Sequence, residues 1–273
     1  MSPTAMNFIG SGKPLSPLGL STALGAIGFA ESDAACIWAV IEVETASVTQ
    51  GYGFLVDRRP QILFERHKFR QFTQGVFDAV APDVSGPAGG YGKQQYPRLE
   101  KALALCAQQG LTPEPALMSA SWGLGQVMGF NHSLAGYADV TALVGDMVES
   151  EDNQLFAMTM FLKNAKLAQH LERRDWTKFA VGYNGKDQAK HHYDYRLEKQ
   201  YERFASGSLP NLNVRAVQAA LLLLGYSPGK IDGVLGQRTR TAIGNYRIAN
   251  GLPSGTDIDS ALYDKITNQL GWN

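Results

Sequence analysis

The sequence contains few of the residues from which disulfide frameworks and metal sites are built. Its 273 residues include two cysteines and five histidines, and none of the histidines has H-E-x-x-H or a comparable ligand spacing. Two thiols, Cys36 and Cys106, are too few for a disulfide framework or a four-ligand zinc site. We therefore predict two free, buried cysteines, no metal site and no cofactor.

An excess of charge of one sign is also missing. The 25 Lys and Arg residues are matched by 25 Asp and Glu residues, so the chain has no bulk electrostatic attraction for nucleic acid or an anionic membrane. The apolar stretch 15–30 is interrupted by Pro17, is too short to span a bilayer, and follows a stretch, 1–12, without Lys or Arg. We expect no export signal, no nucleic-acid partner, no stable membrane insertion and a monomer.

The residues that are present indicate a soluble globular protein of two unequal parts. The chain is 44% hydrophobic and 18% charged, which is typical of globular proteins. Residues 206–211, SGSLPN, have the composition of a linker. We therefore predict domains at 1–205 and 206–273, the first mainly helical with one small β-hairpin and the second a small three-helix domain.

A carboxylate ends the apolar face of a helix predicted over residues 32–45, with Ser32 as its N-cap. Ile37, Val40, Ile41 and Glu44 lie at positions i, i+3, i+4 and i+7. An apolar environment disfavours the charged form of a glutamate, and cleavage of a glycosidic bond needs an acid that stays protonated near neutral pH. Glu44 is therefore a candidate general acid, the alternative being a helix-terminal salt bridge.

Further along the chain, a hairpin, helices and a glycine-rich turn are predicted. The hairpin consists of GYGFLV and QILFE around a turn at 57–60, and it contains two further carboxylates, Asp57 and Glu65. Residues 77–92 read as a loop, 96–109 and 113–120 as helices, and 119–131, SASWGLGQVMGFN, as a compact turn. Two helical patterns over 140–168 and a last helix over 193–204 complete this part.

Three motifs in a fixed order carry a resemblance to a known superfamily. Glu44 at a helix end is followed by Gly123, Leu124 and Gln126, and then by Tyr183 and Asn184. This order resembles the lysozyme-like superfamily of goose-type lysozymes and lytic transglycosylases. More closely, residues 27–204 resemble the N-acetylmuramidase domain of bacteriophage endolysins, through the blocks VET, GYGFLVDRRPQILFERHKF, GGYG, SASWGLGQVMGFN, FAVGYNG and YDYRLE. One departure is the longer segment TASVTQ after Glu44.

The tail carries a second resemblance. Its motifs V-Q-x-x-L, L-G-Y, I-D-G-x-x-G and T-x-x-A resemble those of the small helical peptidoglycan-binding domain of cell-wall hydrolases, at positions 217–221, 224–226, 231–236 and 239–242. Together the two resemblances imply a mainly α protein, in which a lysozyme-like α+β catalytic domain with a small β-hairpin precedes a three-helix C-terminal domain. They also imply bacterial peptidoglycan as the partner.

The resemblance implies that Glu44 protonates the leaving oxygen of the β-1,4 bond between N-acetylmuramic acid and N-acetylglucosamine. A second carboxylate would activate water or attack the sugar, and we rank Glu65 above Asp57 because an acid in the ILFE run should face the interior. If neither acts, the same Glu44 would serve as acid and base in a lytic transglycosylase.

The remaining candidates concern substrate binding. Gln126, Tyr183 and Asn184 are expected to hold glycan, with turn stabilisation as the alternative. Trp122, Tyr91 and Phe130 are candidate sugar-stacking faces.

A non-catalytic wall binder and a peptidoglycan amidase or peptidase are the rival functions. By resemblance to endolysins, we expect accumulation in the host cytoplasm, release through a holin pore, and host cell lysis by attack on the wall.

Overall fold

The computed structural model describes residues 6–45, 51–92, 94–185, 189 and 192–272. Its described elements are mostly helices, with three short strands between them. In chain order they are α1 (Pro17–Ala26), a 3-10 turn (Glu31–Asp33), α2 (Ala34–Thr45), β1 (Ile62–Phe64), α3 (Arg66–Phe72), α4 (Gln95–Gln108), α5 (Glu114–Met118), β2 (Ala120–Trp122), β3 (Val127–Met128), a 3-10 turn (Gly129–Asn131), α6 (Val140–Met147), α7 (Glu151–Asn164), α8 (Ala168–Glu172), α9 (Trp176–Asn184), α10 (Tyr193–Ser206), α11 (Leu212–Leu223), α12 (Gln237–Ala249) and α13 (Ser260–Leu270).

Helix α2 is the central helix of the larger part. Ten of its twelve residues are buried, as expected for a helix that is apolar on every side. It ends at Thr45 as predicted, but it begins at Ala34, two residues later than the predicted start. The preceding residues form a 3-10 turn, which the Asp33 carboxylate closes by accepting a hydrogen bond from the Ala30 amide at 3.0 Å. Ser32 is therefore not the cap.

The strands form one antiparallel sheet in the order β1-β2-β3. Ile62 pairs with Trp122 and Phe64 with Ala120, while Trp122 also pairs with Val127. The predicted hairpin is reduced to one bridge, between Phe54 and Pro60, and β1 pairs with β2. The predicted helix over 113–120 is wrong at its end, since Ala120 is the first residue of β2.

Buried apolar side chains fall into two clusters. The first lies within the larger part and includes most of α2. The second is formed by the three C-terminal helices, but it also contains Tyr52 and Phe54 from the larger part. Trp272, near the C-terminus, donates from its indole nitrogen to the carbonyl of Ser11 at 2.9 Å. The C-terminal helices therefore pack directly against the rest of the protein.

Two further expectations concern the cysteines and the apolar stretches. Cys36 and Cys106 are both free and buried, which confirms that prediction. Within the described parts of the chain, no single helix is long and apolar enough to cross a bilayer; Pro17–Ala26 and Glu31–Thr45, joined at a 94° bend, meet the length and composition only when taken together.

Candidate active site

Glu44 lies at the end of α2, where its carboxyl group meets the start of α10. The hydroxyl of Tyr193 donates a hydrogen bond to Glu44 Oε1, and the Asn184 side chain bonds to the same carboxyl group. Burial raises the pKa of Glu44 to about 7, against the opposing effects of the Tyr193 bond, the nearby Arg196 charge and the Asn184 bond. The group is therefore a carboxylic acid that keeps its proton close to neutral pH.

Packing of α10 against α2 builds this environment. Tyr193, the first residue of α10, is 6% exposed, and Arg196 one turn later donates to the Val43 carbonyl of α2 at 3.1 Å. Sequence reasoning assigned no role to Tyr193 or Arg196, although both lie in the YDYRLE block that contributes to the resemblance. In the sequence, Tyr193 is only a tyrosine at a predicted helix start. That feature does not indicate a chemical role until the fold places the residue beside an acid.

The glycine-rich turn, defined here as residues 123–126 between β2 and β3, reaches the same region. Gln126 adopts a left-handed conformation with φ of 48°, an uncommon state for a non-glycine residue. Its amide nitrogen donates to the carbonyls of Gly123 at 2.8 Å and Gln61 at 3.2 Å, and its oxygen accepts from Ser121 at 2.8 Å. These contacts match the alternative of turn stabilisation, and glycan binding by Gln126 stays a prediction.

Gln61 joins the turn to Glu44. Its side-chain amide donates to the backbone carbonyl of Glu44 at 3.3 Å, and its own carbonyl accepts from the Gly123 amide at 2.8 Å. Residue 61 immediately precedes β1, so the end of α2, the strand and the turn meet at this one residue, through its side chain and its backbone carbonyl. Sequence reasoning did not single out Gln61.

The two residues of the Y-N motif lie at the end of α9. Tyr183 donates its hydroxyl to the Gly125 carbonyl and stacks on Phe179 with ring centroids 5.3 Å apart, so it fastens α9 to the glycine-rich turn. Asn184 is exposed at the helix end and bonds to Glu44. Of the two residues, Asn184 is therefore the one whose side chain lies outside the core and bonds to the Glu44 carboxyl group.

The predicted aromatic faces differ in exposure. Trp122 is fully buried: its ring packs 5.8 Å from that of Phe8, and its indole nitrogen donates to the Leu117 carbonyl. The expectation of a sugar-stacking face is therefore wrong for Trp122. Tyr91 is 54% exposed, whereas Phe130 is half-buried against Phe72 at 6.1 Å.

Glu65 follows β1 directly and occupies the N-cap position of α3. Its side chain is 16% exposed, and its Oε2 lies 3.1 Å from Nδ1 of His67, although neither atom has a hydrogen bond of good geometry to a described residue. Tyr91 bonds to Glu65, and its pKa is raised by burial first and by the Glu65 charge second. Glu65 is thus an enclosed carboxylate beside an exposed aromatic ring.

Asp57 lies in a different environment. It is exposed in the turn before β1 and pairs with Arg59 at 2.7 Å. The turn lines a cavity of about 690 Å³ shared with the C-terminal part, including Ile231 and Arg238. Both contacts of the Asp57 carboxylate, with the Arg59 backbone amide and guanidinium, lie within its own turn, which is the structural alternative to a catalytic role.

One prediction concerns residues outside the described ranges. Most of the longer segment after Glu44, residues 46–50, lies there. Among the residues that the structure describes, no group of three or more His, Cys, Asp or Glu side chains could hold a metal ion.

Comparison with known proteins gives two family matches. The N-acetylmuramidase family model matches residues 33–205, and the peptidoglycan binding domain model matches residues 210–264. No curated protein sequence gives a significant match.

A solved structure is also similar. The crystal structure of the Burkholderia AP3 phage endolysin superimposes with a TM-score of 0.59 and 35% sequence identity, covering 71% of this chain and 72% of that chain. The family match spans well over half of this chain and contains Glu44, Glu65, the glycine-rich turn and the Y-N motif. The chain belongs to the N-acetylmuramidase family of peptidoglycan hydrolases, with a lysozyme-like fold and a C-terminal peptidoglycan-binding domain.

Proposed function

We propose that Glu44 is the general acid of a phage endolysin that cleaves the β-1,4 bond between N-acetylmuramic acid and N-acetylglucosamine. The raised pKa of Glu44 at a helix end enclosed by Tyr193 and Asn184 carries this proposal. Burial keeps the proton on Glu44 until the glycosidic oxygen, which becomes more basic as the bond breaks, accepts it. Tyr193 holds the carboxyl group in place through a hydrogen bond to Oε1.

Glu65 is the second carboxylate in this proposal. Inverting glycosidases activate water with a carboxylate farther from the acid, and retaining ones use a closer carboxylate as nucleophile. Asp57 forms a direct ion pair with Arg59 at 2.7 Å, whereas Glu65 faces the imidazole of His67 at 3.1 Å and the nearby Arg98 charge. We favour Glu65 because its carboxylate is enclosed and lies beside Tyr91. The exposed ring of Tyr91 beside Glu65 offers a face for a sugar.

In this proposal the domains at 1–205 and 206–273 have different functions. The first cleaves the glycan, and the second holds the enzyme on peptidoglycan. Within the second, Asp232 accepts hydrogen bonds from Gln218 at 3.0 Å and from the Val234 amide at 3.0 Å. Asp232 therefore shapes the domain rather than its ligand surface. As an endolysin, the protein would stay in the host cytoplasm as a monomer until it reaches the wall and lyses the cell.

A lytic transglycosylase is the second candidate. Glu44 alone could serve this reaction, because burial raises its pKa to about 7. Transglycosylation needs one acid, which later acts as base while a hydroxyl of the sugar attacks to form an anhydro product.

Mass spectrometry of the soluble products of purified peptidoglycan tests both candidates. Hydrolysis releases muropeptides that end in reducing muramic acid, whereas transglycosylation releases the 1,6-anhydro form. New amino groups with an intact glycan would instead identify an amidase or peptidase, and would contradict the proposal.

Two glutamates of α2 give a matched pair for the same assay. Glu44→Gln removes the proton donor, and we expect muropeptide release to fall by at least about 100-fold while wall binding persists. Glu42→Gln is the control, because Glu42 faces Arg203 at 3.5 Å and Lys230 at 3.8 Å rather than Tyr193. Unchanged release by Glu44→Gln would refute the role of Glu44.

A further inference from the structure

A fully buried ion pair joins the two parts of the protein. Glu151 begins α7 in the larger part and Arg215 lies in α11 of the C-terminal part; both side chains are 0% exposed. The guanidinium contacts both carboxylate oxygens, Nη1 to Oε2 and Nη2 to Oε1, the second at 2.6 Å. Such a two-point contact fixes orientation as well as distance.

The pair also binds the segment that follows the Glu44 helix. Glu151 accepts hydrogen bonds from the Gly53 amide at 2.8 Å and the Leu15 amide at 2.7 Å. Arg215 Nη2 donates to the Gly51 carbonyl, and the guanidinium lies 5.6 Å from the ring centre of Trp38 in α2. One arginine of the C-terminal part thus contacts both the helix that carries Glu44 and the chain beyond it.

Two hydrogen bonds connect this cluster to the backbone of Glu44. The Gly53 carbonyl accepts from the backbone amide of Gln61 at 2.8 Å, and the side-chain amide of Gln61 donates to the backbone carbonyl of Glu44 at 3.3 Å. A glycine is required at 53, because a Cβ there would lie 2.0 Å from Oε1 of Gln154.

A parallel connection runs through α7 to the glycine-rich turn. Gln154, one helical turn after Glu151, accepts from the Leu124 amide at 2.9 Å and donates to the Met147 carbonyl at 2.8 Å. The end of α7 that binds Arg215 therefore also holds the turn that carries Gln126.

We propose that Arg215 of the C-terminal part is a positioning residue for Glu44, acting through Glu151, Gly51–Gly53 and Gln61. This inference rests on the proposed role of Glu44. The C-terminal part then has a second role beside attachment to the wall, because its Arg215 side chain completes the buried interior of the catalytic part. Arg215 touches no substrate in this account.

Soluble, peptide-free glycan strands separate positioning from wall attachment, since cleavage of a dissolved strand needs no anchoring. Arg215→Met leaves the Glu151 charge buried and unpaired, so we expect a lower melting temperature as well as a lower kcat. The double variant Arg215→Met with Glu151→Gln removes both charges, and the glutamine oxygen can accept from only one of the Gly53 and Leu15 amides. Its melting temperature should therefore recover in part, while kcat stays about 10- to 100-fold below wild type with KM little changed.

Two further variants complete the test. Arg215→Lys keeps the positive charge without the planar fork, and we expect it to fold with reduced kcat and unchanged KM. Arg240→Met is the matched control, because Arg240 lies in α12 of the same part and pairs with Asp257 at the surface; its kcat should equal that of wild type.

The outcomes are distinct. Wild-type kcat in a folded Arg215→Lys or in the double variant would refute positioning and leave the pair a purely structural contact. If the wild-type protein itself released no reducing ends from the glycan, the proposed function would fail, and this inference with it. Cleavage by wild type with unchanged kcat in the variants refutes this inference alone.

Discussion

The hydroxyl of Tyr193 donates a hydrogen bond to Glu44 Oε1, although the two residues are 149 positions apart in the chain. The contact places the first residue of α10 against the last turn of α2, where Tyr193 is buried and Glu44 is half-buried. Burial makes Glu44 a weaker acid, and the Tyr193 bond limits that effect by stabilising the carboxylate. The pKa of Glu44 therefore depends on both residues.

Tyr193→Phe should raise the pKa of Glu44 above its wild-type value. The change removes a hydrogen bond that favours the charged form, and it leaves the burial that favours the neutral form. A ¹³C NMR titration of the Glu44 carboxyl carbon measures the shift directly. Tyr195→Phe is the control, since Tyr195 is 57% exposed on the same helix. A titration midpoint that falls in Tyr193→Phe would contradict the assigned direction.

Glu44→Gln should stabilise the fold at alkaline pH and have little effect at acid pH. The pKa of Glu44 is about 7 in the folded protein and 4.5 in a solvent-exposed state. The folded state thus binds the proton more tightly, and wild-type stability declines as the pH rises from about 4.5 through 7.

Glutamine carries no charge to bury, so the variant lacks this decline. At pH 8 we expect it to gain about 3 kcal/mol relative to wild type, compared with the difference at pH 4. Urea unfolding at the two pH values checks the prediction. An equal stability difference at both would show that Glu44 is not desolvated.

Glu65→Gln should abolish most activity, whereas Asp57→Asn should retain it. Glu65 is enclosed beside His67 and Tyr91, while Asp57 is exposed and paired with Arg59. Initial rates of reducing-end release from soluble glycan compare the two, and we expect a loss of at least about 100-fold for Glu65→Gln. The reverse ranking would assign the second carboxylate to Asp57.

Gly123→Ala should destabilise the protein. Gly123 has φ of +69°, and a Cβ at this position would lie 2.7 Å from Cδ of the buried Gln154. Backbone strain and overpacking together should cost about 2–4 kcal/mol, measurable by urea unfolding. Gly145→Ala is the comparison, because a Cβ there meets no atom within 4 Å. Equal stability of the two variants would show that the glycine-rich turn can relax.

Local patterns predicted the parts of this protein that depend on neighbouring residues. The apolar stripe of α2 predicted both the helix and a desolvated Glu44. Of the predicted linker 206–211, Ser206 is the last residue of α10, and residues 207–211 precede α11. Side chains brought together from distant positions were not predictable in this way. Tyr193, Gln61 and Arg215 have no chemical signature in sequence, and each gains its role from a partner that only the fold supplies.

The same limit explains the errors. By propensity, Ala120 is compatible with a helix, but in the structure it pairs with Phe64 and is therefore part of a strand. Trp122 lies beside a glycine turn, a common place for a ligand-facing aromatic ring, yet Phe8 from the start of the chain covers it. Tertiary contacts override local preference at both positions.

The pH dependence of kcat/KM on soluble glycan strands tests the role of Glu44 most directly, because it reports the ionisation of the free enzyme. Glu44 must be protonated to act as an acid, so we predict that wild-type kcat/KM falls above pH about 7. In Glu44→Gln this fall should be absent, and the residual rate should be at least about 100-fold lower. A wild-type rate that stays constant up to pH 9, or a Glu44→Gln variant with the wild-type profile, would contradict the account.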